Sequence, residues 1–218
     1  MIWKYAMGLF MAAVIIASFL LVPPTQGLGD MGRIIVYHVP TAWVAVLAYL
    51  MSMVHSVAFL RTGDMLRDRK AAIAAGLGTL FCVLATVTGA IWARGAWGMF
   101  WNWDPRQTSV FLLLMLYVAY FALRASVQDP DRRAKLAAVY AILAFLTVPF
   151  LVFVVPRVYP TLHPNLINVT ERRYEMDSII RLVFLSSVVA FTGLYLWMFD
   201  LRLRAENILD QLERERGN

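Results

Sequence analysis

The chain has 218 residues, of which 61% are hydrophobic, and its mean hydropathy is +0.65. This composition excludes a soluble globular domain and is typical of a polytopic membrane protein. The formal net charge of +6 does not indicate nucleic-acid binding, because the basic residues lie in short connections between apolar segments.

Six segments are free of Asp, Glu, Lys and Arg and are long enough to cross a bilayer as helices. They cover residues 5–29, 34–60, 71–93, 107–123, 136–156 and 182–199. No repeat or low-complexity linker interrupts them. We therefore predict an all-α fold, with residues 1–218 forming a single six-helix transmembrane domain.

The basic residues predict the orientation of these helices. Thirteen of the 20 Lys and Arg residues fall at the chain ends and in the connections 61–70 and 124–135. The other seven fall in the remaining connections. The positive-inside rule then places both termini in the cytoplasm and the connections 94–106 and 157–177 outside.

The second segment carries two histidines. His38 lies about one turn inside its outer start, in the sequence Tyr37-His38-Val39-Pro40. His55 lies 17 residues later, roughly 25 Å away at about 1.5 Å per residue. The two side chains are too far apart to share one ligand, and we expect His55 to hydrogen-bond a neighbouring helix.

The connection 94–106 is rich in tryptophan. Four of the seven tryptophans of the chain lie in it or just before it: Trp92, Trp97, Trp101 and Trp103. Indole rings have large flat surfaces and suit membrane interfaces, and in this number they favour a flat aromatic ligand. Phe100 adds an aromatic side chain, and Gly95 and Gly98 allow the backbone to bend. This region predicts the walls of a haem site.

Asp104 closes this loop and precedes Pro105. Its carboxylate would repel haem propionates, so it needs another partner. Two interpretations stay open: an N-cap for the fourth helix, or an ion pair with Arg106. Candidate partners for the propionates are Arg33, Arg94, Arg106 and Arg157, although each of these side chains also suits a simple position at the membrane interface.

The third outer connection, 157–177, contains His163 in Thr161-Leu162-His163-Pro164. His163 and His38 face the same compartment as the tryptophans. Two imidazoles from separate segments suit the two axial positions of haem iron. We predict that His38 and His163 ligate haem b without a covalent attachment. The chain holds one cysteine and no CxxCH sequence.

The tail 200–218 places Leu201, Ile208, Leu209 and Leu212 near one helical face. It is compatible with an interfacial or partner-binding helix and equally with a solvated extension.

The run Trp97-Gly98-Met99-Phe100-Trp101-Asn102-Trp103-Asp104 resembles the WGxxWxWD signature of the haem-handling proteins of c-type cytochrome biogenesis. Within that superfamily the chain resembles the CcmC family over nearly its entire length, in size, number of spans and the positions of both outer histidines. Phe100 is a departure, because some members have a tryptophan there. It keeps an aromatic wall but lacks an N–H donor.

The resemblance implies that haem is held at the periplasmic face, against the tryptophan loop and between His38 and His163. It also implies transfer of the haem to the chaperone CcmE, and association with the ABC transporter CcmA/CcmB and with CcmD. Trp92, Trp97, Asp104 and Arg106 match positions tied to haem presentation and chaperone docking. We expect binding and transfer, with no chemical step catalysed by this chain.

Three other functions are considered. Haem ligation of the CcsA or CcmF type usually involves larger proteins with more spans. An electron-transfer cytochrome b usually has facing histidine pairs inside the bilayer, where only His55 lies deep. A haem-free structural subunit of an ABC transporter would make both outer histidines incidental.

Overall fold

A computed structural model describes residues 2–164, 167–168, 173–174 and 176–217. Its helices are α1 (Ile2–Leu20), α2 (Ile35–Thr62), α3 (Met65–Trp97), α4 (Pro105–Ser126), α5 (Pro130–Pro149), α6 (Val155–Val158) and α7 (Ser178–Gly217). A 3₁₀ turn at Asp30–Ile34 leads into α2, and a π turn at Phe150–Val154 joins α5 to α6. Among the described residues of the outer connection 157–177, β1 (Ile167–Asn168) pairs antiparallel with β2 (Arg173–Tyr174).

Six helical stretches in these residues are long and apolar enough to cross a membrane, as the sequence predicts. They are Ile2–Leu20, Asp30–Thr62, Met65–Trp97, Pro105–Ser126, Pro130–Val158 and Ser178–Glu213. Helix α3 has 33 residues, about 50 Å of helix against a hydrocarbon core of about 30 Å. Its ends therefore extend beyond the charge-free segment 71–93 that predicts it.

Helix α2 lies at the centre of the bundle and packs against α3, α5 and α7, whereas α1 packs mainly against α7. The core combines tyrosines with small residues. Five alanines of α5 are buried, namely Ala134, Ala137, Ala138, Ala141 and Ala144. Small side chains let neighbouring backbones approach closely, which is how helices associate where lipid removes the hydrophobic driving force.

The face of the bundle that holds both chain ends, here called the terminal face, is held by ion pairs. Arg124 on α4 binds Asp68 on α3 through both guanidinium nitrogens, at 2.6 and 2.9 Å. Lys4 on α1 donates to Asp200 on α7 at 2.6 Å. The opposite end, which carries the tryptophan loop, is called the tryptophan face. Which face is cytoplasmic stays a prediction.

The tail 200–218 continues the last spanning helix. Arg69, near the start of α3, binds Asp210 and Asn207 of this extension. The apolar tail residues Leu201, Ile208, Leu209 and Leu212 are all about half exposed. The tail is thus anchored to the terminal face while its apolar side chains stay uncovered among the described residues.

The prediction for His55 is wrong. Its Nδ1 atom is buried and has no hydrogen-bond partner among the described residues. The ring instead stacks on Phe199 of α7, with ring centroids 6.2 Å apart and an angle of 12° between the planes. Packing against an aromatic ring therefore replaces the expected interhelical hydrogen bond.

Candidate functional site

The tryptophan loop is shorter than the predicted connection 94–106, because α3 continues through Arg94 to Trp97. Gly98 ends this helix in the left-handed conformation, with φ of 79°, and its N–H donates to the carbonyl of Arg94. Glycine adopts this conformation without steric cost. Trp92 and Trp97 therefore lie on the last turns of a helix, and only residues 98–104 form the loop.

Asp104 is the N-cap of α4, as one of the two interpretations predicts. Its carboxylate accepts a hydrogen bond from the backbone N–H of Arg106 at 2.9 Å, and Pro105 occupies the first helical position. The alternative, an ion pair with the Arg106 side chain, does not form.

The same carboxylate binds the third outer connection. Asp104 accepts hydrogen bonds from the Thr161 hydroxyl at 2.9 and 3.0 Å and from the Leu162 N–H at 2.7 Å. It also contacts Nδ1 of His163 at 2.9 Å. Only 1% of the Asp104 side chain is exposed. The cap of α4 thus also holds the histidine.

These contacts determine the protonation of the pair. Burial alone would raise the pKa of Asp104, but hydrogen bonds from Leu162, Arg106 and Thr161 hold that pKa below its ordinary value. Burial lowers the pKa of His163, with Asp104 acting in the opposite direction. The carboxylate is therefore ionised and the imidazole neutral near neutral pH.

A neutral His163 whose Nδ1–H donates to Asp104 has its lone pair on Nε2. A carboxylate that orients histidine in this way is the usual partner of a metal-bound imidazole. The His163 ring lies against Trp92 and Trp97, with ring centroids 5.8 and 4.9 Å away. Packing and a hydrogen bond together fix its orientation.

His38 has a comparable support on α3. Its Nδ1 lies 3.1 Å from the Thr88 hydroxyl, and that hydroxyl donates its own proton to the carbonyl of Leu84 at 2.8 Å. In the tautomer that this arrangement favours, the hydroxyl accepts from the His38 Nδ1–H and the lone pair lies on Nε2. Gly89 makes room for the ring, because a Cβ atom there would lie 2.8 Å from Cε1 of His38.

The structure brings most of the predicted site residues to one end of the bundle. His38, His163 and Arg106 lie near enough for their charges to interact. The four tryptophans divide into two groups, however. Trp92 and Trp97 surround His163, whereas Trp101 and Trp103 pack edge to face with each other and with Phe111 of α4.

The four candidate arginines differ in their contacts. Arg33 binds Asp30 and the Val22 carbonyl, Arg94 binds the Gly98 carbonyl, and Arg157 binds the Phe153 carbonyl. Arg106 has no hydrogen bond or ion pair with any residue that the structure describes. Of the four, Arg106 is the arginine whose charge acts on both His38 and His163.

Sequence reasoning did not identify Thr88, Gly89 and Thr161, which support the two histidines. Thr161 offers a local signal, since it lies two residues before His163 and contacts the same carboxylate. Thr88 and Gly89 offer none, because they are about 50 residues from His38 in the chain. Residues 165–166, 169–172 and 175 of the third connection, including Arg172, lie outside the described residues.

Comparisons with known proteins relate the chain to one family. The family model for CcmC, "Heme exporter protein C", matches residues 1–217. Heme exporter protein C of Bradyrhizobium diazoefficiens is 30% identical over 204 residues, covering 94% of this chain and 77% of that protein. Its counterpart in Haemophilus influenzae is 31% identical, covering 85% and 75%.

A "Putative cytochrome c biosynthesis ccmC-like mitochondrial protein" of Marchantia polymorpha is 34% identical over 142 residues, covering 65% of this chain and 60% of its own. The family follows from the match over residues 1–217, and the six helices of membrane-spanning length agree with it. The chain belongs to the CcmC family, the multi-pass membrane proteins of haem export in cytochrome c biogenesis.

Proposed function

We propose that this protein holds haem b non-covalently at the tryptophan face, with His38 and His163 as the axial ligands, and passes it to the chaperone CcmE. One observation carries the proposal. Both histidines have Nδ1 engaged, by Thr88 and by Asp104, so that both Nε2 atoms keep a lone pair. That is the state in which imidazole binds iron.

The surroundings of the two histidines also suit haem. Trp92 and Trp97 supply flat apolar surface beside His163. The free guanidinium of Arg106 suits a propionate, because a charge-assisted hydrogen bond would satisfy both groups. Haem is the cargo in this proposal, and the chain's own groups bind and orient it. None of them is assigned a catalysed chemical step.

The family assignment supports the cellular setting of the proposal. The tryptophan face would be periplasmic in a bacterial inner membrane, where the haem meets CcmE. CcmA, CcmB and CcmD would be the partners within the membrane. The 13 basic residues near the terminal face favour this orientation through the positive-inside rule.

A transfer experiment tests the function. The full chain, purified in detergent from cells supplied with excess haem, is expected to show the absorption spectrum of low-spin bis-imidazole haem. Addition of the apo form of CcmE is expected to move haem to the chaperone, as followed after separation of the two proteins. Protein that never binds haem would refute the proposal and favour the haem-free structural subunit.

Gly89→Ala provides a prediction for His38. The new methyl group would displace the imidazole, and overpacking of this kind costs about 1–3 kcal/mol, or roughly 5- to 150-fold in haem affinity. Equilibrium haem titration measures the loss. Gly76→Ala on the same helix is the matched control, because a Cβ at Gly76 meets nothing within 4 Å. Equal affinities for the two variants would contradict the role of Gly89.

Arg106→Gln tests the propionate contact. Loss of the guanidinium is expected to weaken haem binding roughly 10- to 150-fold, the equivalent of a charge-assisted hydrogen bond of about 1.5–3 kcal/mol. It should change the affinity for haem dimethyl ester little, because the ester has no carboxylate. If the substitution weakens the binding of haem and of its dimethyl ester equally, Arg106 acts on the fold and not on a propionate.

A further inference from the structure

The loop between α3 and α4 has a strained backbone. Trp103 has a φ of 59°, and it is the one non-glycine residue with positive φ among those that the structure describes. Bulky side chains rarely adopt this left-handed conformation, since it brings Cβ close to backbone oxygen. Such a conformation persists only where surrounding contacts hold it. The contacts around Trp103 therefore show what keeps the loop in place.

Gln107, in the first turn of α4, makes two of these contacts. Its side-chain amide donates from Nε2 to the Phe100 carbonyl at 3.2 Å and accepts at Oε1 from the Asn102 N–H at 3.0 Å. Only 7% of Gln107 is exposed. One planar amide therefore binds the loop backbone on both sides of Trp101, much as a neighbouring strand would.

Two further side chains complete the restraint. The Asn102 side-chain oxygen accepts from the Asp104 N–H at 3.3 Å, and the Thr108 hydroxyl donates to the Trp103 carbonyl at 3.1 Å. Gln107, Asn102 and Thr108 thus connect the loop backbone to the start of α4 on either side of the strained residue. The loop is held by side chains, since none of its central backbone groups belongs to a helix or strand.

The loop conformation has two consequences for the site. It presents the Trp103 side chain outward, 66% exposed, in edge-to-face contact with Trp101 and Phe111. It also sets the backbone of Asp104, whose carboxylate orients His163. A shift of the loop would move both groups together, because Trp103 and Asp104 are adjacent.

We propose that Gln107 is a positioning residue for haem retention: it holds the strained tryptophan loop that presents Trp103 and places Asp104 against His163. This inference rests on the proposed function, since it concerns the release of haem from the same site. It adds to that function a buried amide whose hydrogen bonds go to the loop backbone and to neither histidine.

The test measures haem dissociation from the full chain in detergent, with excess apomyoglobin as the acceptor. Gln107→Met keeps the length of the side chain and removes both hydrogen bonds. It is expected to release haem about 10-fold faster, because the strained loop loses two of the hydrogen bonds that hold its backbone. Gln128→Met changes an exposed glutamine just beyond the opposite end of α4; it is the control and should release haem at the wild-type rate.

A second substitution separates strain from general destabilisation. Asparagine adopts the left-handed region more readily than tryptophan, so Trp103→Asn relieves the backbone strain at this position. In that background, Gln107→Met should accelerate haem release less than about 3-fold, as about half or more of the logarithmic effect on the rate depends on the strain. An effect as large as in the wild type would refute the proposal.

The remaining outcomes are also decisive. If Gln107→Met lowers the melting temperature but leaves the dissociation rate unchanged, the residue is merely structural and the proposal fails. If Gln107→Met does not fold, Gln107→Glu retains the acceptor for Asn102 and loses the donor to Phe100, and it should still release haem faster. Wild-type protein without haem would refute the proposed function itself, whereas equal rates in loaded proteins would refute only the role of Gln107.

Discussion

Replacement of both His38 and His163 by alanine is expected to abolish the low-spin haem spectrum of the purified protein. Removing a hydrogen-bond partner of a metal ligand typically costs about 10- to 100-fold in affinity. Removing both ligands should cost more than this, so haem content should fall to the level of nonspecific binding. Each single variant should keep some haem with one imidazole and show a high-spin spectrum.

His55 supplies the matched control, because it is the third histidine of the chain and lies 17 residues from His38 on α2. His55→Ala removes an imidazole that packs on Phe199 and leaves both proposed ligands in place. Its spectrum should match that of the wild type. If the low-spin spectrum remains after the double substitution but is lost in His55→Ala, the haem site lies at His55 in the interior of the bundle.

Asp104→Asn is expected to lower haem affinity roughly 10- to 100-fold, as is typical when a residue that orients a metal ligand is changed. The carboxylate accepts from Thr161, Leu162, His163 and the N–H of Arg106. An amide replaces one acceptor oxygen by a donor. One of these donors then faces another donor, and the orientation of His163 is no longer specified. Haem titration measures the change in affinity.

The chain contains a close control for this substitution. Asp129 precedes Pro130 just as Asp104 precedes Pro105, and its carboxylate caps α5 through the N–H of Arg132. Asp129→Asn should affect stability about as much as any N-cap change, roughly 1 kcal/mol or less, and leave haem affinity unaltered. If both variants bind haem equally well, Asp104 acts only as a helix cap.

The supports of the two histidines suit the proposed carrier role. Each imidazole is held by hydrogen bonding at Nδ1 and by packing, so that little further ordering would be needed on binding iron. His163 also belongs to a connection that Asp104 holds by side-chain contacts. Changes that loosen Asp104 would therefore free His163 while Thr88 still supports His38. Independent supports of this kind would suit a stepwise release of haem.

Local features of the chain could be predicted well. The spans follow from long charge-free runs, because a charge inside the bilayer is costly. The cap at Asp104 follows from the Asp-Pro sequence, whose geometry involves neighbouring residues only. The charge-free run predicts the end of α3 too early, since Arg94 can remain helical at the membrane interface and Gly98 is the residue that ends the helix. The prediction for His55 is wrong because its aromatic neighbour lies on another helix.

The amino-acid sequence by itself determined the class of the protein, the number of spans, the aromatic loop and the two histidines that face it. Those features depend on composition and on interactions between near neighbours. Only the tertiary structure decided which tryptophans surround His163, that Asp104 binds a residue 59 positions away, and that Thr88 and Gly89 support His38. These contacts form where helices pack against one another, and no local pattern in the sequence indicates which distant residues meet there.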